Sequence, residues 1–319
     1  MTLLVSALAV PSLLTLVLAV PAVLAGCLTD AESADSSDAA KLSSPLASCR
    51  VADAYNAPVS LGKITNTSID EASGIVVSKR NPGILYVHND SGDSARFFAI
   101  DETARVVGTF PVSGATAVDW EDAALGPCPQ GSCVYLGDIG DNDEARTNVA
   151  IYRVGEPDIA GGQTSGSLAA EKYPFAYPDG PRNAESLMVH PTTGDIYIIS
   201  KKSSGKSGVY KFPQPLKVNT KVTLIKVADL KLPTDTDAKA TAADIHPCAS
   251  RFLLRTYSRV YEFRAAAGES FEQAFTKTPV VLPAPDEDQG EAIAYALDGS
   301  AYYTVSEGTK SPLYRISAK

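Results

Sequence analysis

Glu185–Lys202 reads ESLMVHPTTGDIYIISKK. An acidic residue opens a short apolar run, His190-Pro191-Thr192-Thr193-Gly194 turns the chain, and a second apolar run containing a Tyr follows. Short apolar runs separated by turn residues read as paired strands. The same pattern begins at Ser73 (SGIVVSKRNPGILYVHND), Glu121 (EDAALGPCPQGSCVYLGDIGD), Thr241 (TAADIHPCASRFLLRTYS) and Glu291 (EAIAYALDGSAYYTVSEG). The starts lie about 50 to 65 residues apart, the length of a four-stranded propeller blade with generous loops.

Five such units predict an all-β, five-bladed β-propeller. The last unit lacks an outer strand, and Pro58–Thr65 (PVSLGKIT) is a strand without a partner. A propeller closes, and loses an exposed edge, when its N-terminal strand completes the last blade. Blade three is expected to end on Val222–Leu230 and blade four on Thr276–Leu282. Gly155–Ala170, rich in Gly, Ser and Ala, reads as a loop. Helical periodicity of useful length is absent.

The chain has 319 residues, 45% hydrophobic, with a net charge of −9. That charge speaks against a nucleic-acid polymer as partner. Residues 1–26 carry no charged side chain and precede Cys27. Leu24-Ala25-Gly26-Cys27 resembles the lipobox of bacterial lipoproteins. Residues 1–26 are then a lipoprotein-type signal peptide, although the usual basic n-region is missing. An uncleaved anchor is the alternative. Either reading puts the domain outside the cytoplasm, held to the membrane, with Cys27 as the lipidation site in the first. Residues 27–48 are small, polar and acidic, a disordered tether, and residues 49–319 form one propeller domain, read as a monomer.

Setting Cys27 aside leaves four of the five cysteines. Cys128 and Cys133 flank a Pro-Gln-Gly-Ser turn short enough for a local disulfide, and Cys49 with Cys248 would be a second bridge by elimination. An even remainder in an exported chain favours disulfides, and no CxxC pair supports zinc.

Aligning the five strand entries places Ser73, Glu121, Glu185, Thr241 and Glu291 around one mouth of the channel. Three carboxylates facing one another repel, so a proton or a cation must sit among them. Ca²⁺, which accepts six to eight oxygens in loose geometry, fits. Alternatively the carboxylates only cap strand entries.

These five residues resemble the channel ligand series of the soluble calcium-activated nucleotidases (apyrases), with Thr at the fourth place. Leu85–Gly92 (LYVHNDSG) and Val134–Gly140 (VYLGDIG) extend the likeness. The chain also looks like exported bacterial propeller lipoproteins of unknown function that carry DWED, YLGDIGDN and GEAIAY stretches. The first resemblance implies a five-bladed fold, a channel Ca²⁺ and an Asp in the blade-one loop acting in catalysis, here Asp90.

With a calcium-positioned water, Asp90 would act as base in phosphate ester or anhydride hydrolysis. Arg96, Arg146, Lys201 and Lys202 are the candidate ligand-binding cations. The competing reading makes Asn89–Asp93 an Asx-type turn and these cations a solvated rim. Asp138–Glu144, the densest acidic loop, reads as a solvated turn before a second cation site. Trp120 reads as packing below the mouth, and His190 and His246, each before a Pro, as structural. Two functions follow: a binding module taking a small-molecule or protein ligand at the mouth, or a calcium-dependent phosphohydrolase.

Overall fold

The paired runs fold as hairpins, and the hairpins build five antiparallel sheets around one axis. The computed structural model describes residues 50–233 and 238–319. The expected signal peptide, Cys27, the expected tether and Cys49, with its expected pairing to Cys248, lie outside the described residues.

Blade one is Ala72–Val77, Ile84–Asn89, Arg96–Asp101 and Val106–Ser113, from axis to rim. Blade two is Trp120–Cys128, Gly131–Asp138, Ala150–Gly155 and Glu171–Ala176. Blade three is Ala184–Val189, Ile196–Ser200, Lys206–Lys211 and Ile225–Lys231, and blade four Ala240–Ile245, Arg251–Thr256, Val260–Arg264 and Val280–Leu282. Blade five is Gly290–Tyr295, Ala301–Ser306 and Pro312–Ser317, completed by Val59–Lys63 paired antiparallel to Pro312–Arg315. The N-terminal strand closes the ring as expected.

Three details differ from the sequence reading. Val222–Thr223 leaves blade three and pairs parallel with Phe175–Ala176 of blade two. Leu168–Ala169, inside the expected loop, pairs parallel with Val112–Ser113 of blade one. Two loops thus reach backwards and cover the outer edges of the preceding blades, which removes unpaired backbone groups. The outer strand of blade four, expected over Thr276–Leu282, is shorter, Val280–Leu282, and follows a 3-10 turn, Phe271–Thr276, whose Phe271 and Phe275 pack on Phe252.

Strands such as ILYV and IYII are apolar on both sides because each sheet is covered on both faces by its neighbours. Each pair of adjacent blades therefore shares an apolar core. Tyr86, Phe97, Trp120 and Tyr152 fill the one between blades one and two, while Phe98, Tyr303 and Leu313 fill the one between blades five and one. The Trp120 indole N–H donates to Thr116 O at 2.9 Å and its ring meets the edge of His88, a packing role. His190 and His246 each accept turn amides on Nδ1, from Thr193 at 3.1 Å and Cys248 at 3.1 Å respectively. The Cys128–Cys133 disulfide closes the expected hairpin turn.

Every innermost strand has a register shift against its neighbour at one place: between Ala72 and Gly74, Trp120 and Asp122, Ala184 and Ser186, Ala240 and Ala242, and Gly290 and Ala292. The extra residues are Ser73, Glu121, Glu185, Thr241 and Glu291. A bulged residue has no cross-strand partner, so its side chain is free to be re-aimed.

Below the bulges, the buried Asp122 carboxylate accepts amide N–H groups of Ala123 at 2.8 Å, Leu187 of blade three at 2.8 Å and Ala243 of blade four at 3.1 Å. Asp244 of blade four likewise accepts the amide of Tyr295 in blade five at 2.7 Å. The far end of the axis is an apolar cavity of about 70 Å³ lined from every blade, by Val77, Leu125, Val189, Ile245 and Leu297 among others. The chain enters the fold at this closed end: Arg50 N–H donates to Asp298 O at 2.6 Å, and Arg251 Nη1 to Ala52 O at 2.8 Å.

Removing the Asp122 carboxylate strands amides in three blades, and each buried unpaired donor costs roughly 1–3 kcal/mol. Asp122→Ala is expected to lower unfolding free energy by about 3 kcal/mol or more, measured by urea denaturation. A loss below about 0.5 kcal/mol would remove Asp122 as a clamp.

Candidate functional site

The bulges gather acid at the open end of the channel. Glu121 and Glu291 are 4% and 7% exposed, and neither carboxylate has a hydrogen bond or ion pair among the described residues. Carboxylate oxygens of Asp90, Asp119 and Glu121 lie within 4.8 Å of one another. Asp90 comes from the loop after Ile84–Asn89, where its own amide donates to Glu71 O at 2.8 Å and its carboxylate accepts the Ser91 amide at 2.5 Å. Asp119 enters just before the blade-two bulge, fixed by its amide bond to Asp138 Oδ1 at 3.1 Å. Gly140 allows the close approach: a Cβ there would sit 2.1 Å from Glu121 Oε1 and 2.4 Å from Asp119 Oδ2.

The two hydroxyls of the ring are engaged with backbone. Ser73 Oγ donates to Glu121 O at 2.5 Å, and Thr241 Oγ1 to Gly290 O at 3.0 Å. Each ties a bulge to the next blade. Glu185 is ion-paired with Lys201 Nζ, which also donates to Tyr257 Oη at 2.8 Å and lies over that ring.

Burial drives the proton affinities upward, and like charges add to it. Asp90 is pushed up to about 7 by burial, with Asp119, Glu185 and Glu307 contributing. Glu291 is pushed up to about 9 by burial and Glu185, against Lys201. Burial, then Glu185, Asp90 and Asp119, raise Glu121 well above the usual range. Burial raises Asp119 also, opposed by Arg146.

The four candidate ligand-binding cations are all ion-paired. Arg96 forks onto Asp93 at 2.9 Å and lies over Phe98, and Arg146 binds Asp138 Oδ1 at 2.6 Å and Gly140 O at 2.5 Å. Lys201 holds Glu185 and Lys202 holds Glu144. Beside the mouth, Thr67, Ser68, Asp70, Glu71, Ser91 and Asp93 line part of a polar cleft of about 330 Å³. Asn89 ties its walls together, donating to Ser68 O at 2.8 Å and Asp93 Oδ2 at 3.0 Å.

The acidic loop 138–144 is not the solvated turn expected from composition. Asp138 and Asp141 are buried, and Asp141 accepts the amides of Ala145 and Arg146, both at 2.9 Å. Its carboxylates fold the loop on itself and support the mouth from beneath. The sequence reading passed over Asp119, although it stands two residues before Glu121. It placed the loops that begin at Tyr257 and Glu307 around the mouth but gave neither residue a role; the contact of Tyr257 with Lys201 needs the closed ring.

The geometry thus defines a five-bladed propeller with an acidic, oxygen-lined mouth. No protein-family model matches the chain, and no curated protein matches it at a significant level. Among solved structures it is similar to a gluconolactonase of Xanthomonas campestris, at 10% identity and a TM-score of 0.42 over 74% of this chain and 69% of that one. It is also similar to a provisional 6-phosphogluconolactonase of Bacteroides uniformis, at 12% identity and a TM-score of 0.40 over 77% and 67%.

A raised carboxylate destabilises the fold when it ionises. For Asp90 and Glu291 the penalty is absent below the unfolded values of 3.8 and 4.5 and complete above about 7 and about 9. The melting temperature in chelator is therefore expected to fall as pH rises from about 4 to about 9. A melting temperature that rises across this window in chelator would contradict the electrostatic description.

Proposed function

We propose that this is an extracytoplasmic, membrane-tethered binding module whose channel mouth is organised by a divalent cation, Ca²⁺ by preference. One observation carries the cation: Asp90, Asp119 and Glu121 crowd three carboxylates within 4.8 Å, and among the described residues no ammonium or guanidinium is paired to Asp119 or Glu121. Hard carboxylate oxygens around a roomy mouth suit Ca²⁺, whose shell is large and tolerant. Asp90, Asp119 and Glu121 would hold it, with Glu291 and the lone pairs of Ser73 and Thr241 facing it and Glu185 shared with Lys201. The ligand, a small molecule or a segment of a protein, takes the polar cleft next to Asp90. Arg96, which lines this cleft while paired with Asp93, is the guanidinium an anionic ligand would meet first.

The tether rests on Leu24–Cys27 and the polar stretch after it. The Cys128–Cys133 disulfide supports an oxidising compartment. Cys27→Ser is expected to move the protein from the membrane fraction to the soluble fraction. An unchanged distribution would mean that residues 1–26 are retained as an anchor.

A second reading is a calcium-dependent phosphohydrolase, favoured by Asp90. In this reading Asp90, carried on the loop after Ile84–Asn89 beside Asp119 and Glu121, is the base rather than a ligand of the cation. The cation would supply charge stabilisation to the phosphoryl oxygens. Asp90 would hold the attacking water and accept its proton, and the cleft would orient the rest of the substrate.

Calcium titration of the purified full chain is expected to raise its melting temperature by several degrees, a binding effect of about 2–3 kcal/mol at a hundredfold excess over Kd. Chelator is expected to reverse it. No shift, with no bound metal by elemental analysis, would sink the cation reading. Nucleoside diphosphates and simple phosphate esters, assayed with and without Ca²⁺, separate the two functions. Hydrolysis that drops at least about a hundredfold in Asp90→Asn supports the enzyme, and absence of turnover leaves the binding module.

A further inference from the structure

Lys201 is a built part of the mouth. Its amide donates to Asn183 O at 2.9 Å, at the end of strand Ile196–Ser200. Its Nζ contacts Glu185 Oε2 and donates to Tyr257 Oη at 2.8 Å, and it stands 4.8 Å from the centre of the Tyr257 ring. It is thus gripped from blades three and four and aimed inward. Its charge acts on Glu121 and Glu291 as well as on Glu185. Those two carboxylates are more than nine-tenths buried and have no hydrogen-bonding partner among the described residues. An ammonium in this position does two things to an incoming divalent cation. It repels the cation, and it occupies Glu185, a ring carboxylate that would otherwise be free to join Asp90, Asp119 and Glu121.

We infer that Lys201 is an internal counter-cation that competes with the metal for Glu185 and so sets the affinity of the site low. The inference rests on the cation reading of the mouth. It assigns Lys201 to tuning metal affinity rather than to binding an anionic ligand. Ligand charge count tunes calcium sites over many decades, and extracellular modules work at roughly 10⁻⁴–10⁻³ M. With Lys201 in place the site would fill only at such concentrations, as suits a protein outside the cytoplasm. Tyr257 is the positioning residue, since its hydroxyl and ring hold the ammonium over the channel.

The test is isothermal titration of Ca²⁺ into the purified full chain and its variants. Lys201→Met is expected to bind Ca²⁺ at least about tenfold more tightly than the parent. Lys201→Arg, which keeps the charge, should bind Ca²⁺ more weakly than Lys201→Met. Tyr257→Phe loosens the ammonium without removing it, so it should tighten binding by a smaller factor, and it serves if Lys201→Met does not fold. Adding Glu185→Gln to Lys201→Met should erase most of the gain, because the gain comes from the freed carboxylate. Calcium binding that is equal or weaker in folded Lys201→Met and Tyr257→Phe overturns the counter-cation role while leaving the cation site standing. No calcium binding by the parent or any variant overturns both.

Discussion

The carboxylate of Asp122 accepts amides from its own strand and from the innermost strands of the next two blades. A ring of wedges has few direct bonds between its members near the axis, because each sheet satisfies its backbone internally. Apolar cores between blades hold the wedges together but do not fix their height along the axis, since apolar contact is not directional. A buried anion that needs several N–H groups is directional, and it finds them only when three blades stand in one relative register. Asp244 repeats the device between blades four and five, and Ser73 and Thr241 do so with hydroxyls. The arrangement of the mouth above depends on this layer, because an acid cluster defined to a few ångströms requires blades that do not slide.

The crowding of acid is therefore a consequence of the architecture. A bulge at the same height in every inner strand turns five side chains toward one line. Burial then raises the proton affinities of Glu121 and Glu291, and the loops deliver Asp90 and Asp119 to the same place. Three of the basic residues around the mouth are held by carboxylates of its loops. Arg146 is spent on Asp138, Arg96 on Asp93 and Lys202 on Glu144. These pairs fix the loops that carry the acids, a structural use of charge that gives them a geometric role beside their electrostatic one.

The blade count, the closing strand and the five inner-strand entries were legible because each rests on a local signal. Apolar runs flanked by Asn81-Pro82-Gly83 or His190–Gly194 mark hairpins whatever surrounds them. The bulges were legible only indirectly, as the polar residue that opens each run. The parallel strands Leu168–Ala169 and Val222–Thr223 were not, since two residues have no period and their partners lie in the preceding blade. The role of Asp122 was equally hidden: a carboxylate in a strand looks like a surface residue until the ring closes around it. Composition misled at Asp138–Glu144, where acidity suggested solvent exposure and the carboxylates instead bind their own loop's amides and Arg146. Sequence alone named Asp90 and Glu121, but their nearness to Asp119 is a property of three-dimensional closure.

The point where the chain enters has a mechanical meaning. Arg50 and Ala52 are fastened to the turns of the closed face, and the chain then runs as Val59–Lys63 along the rim of blade five. A pull applied at the N-terminus is directed along that strand, so its ladder with Pro312–Arg315 is loaded in shear across several hydrogen bonds at once. Peeling would instead break them one at a time. The same geometry keeps the two ends of the axis apart: Arg50 and Ala52 are held beside the apolar cavity, at the end opposite Asp90, Asp119 and Glu121.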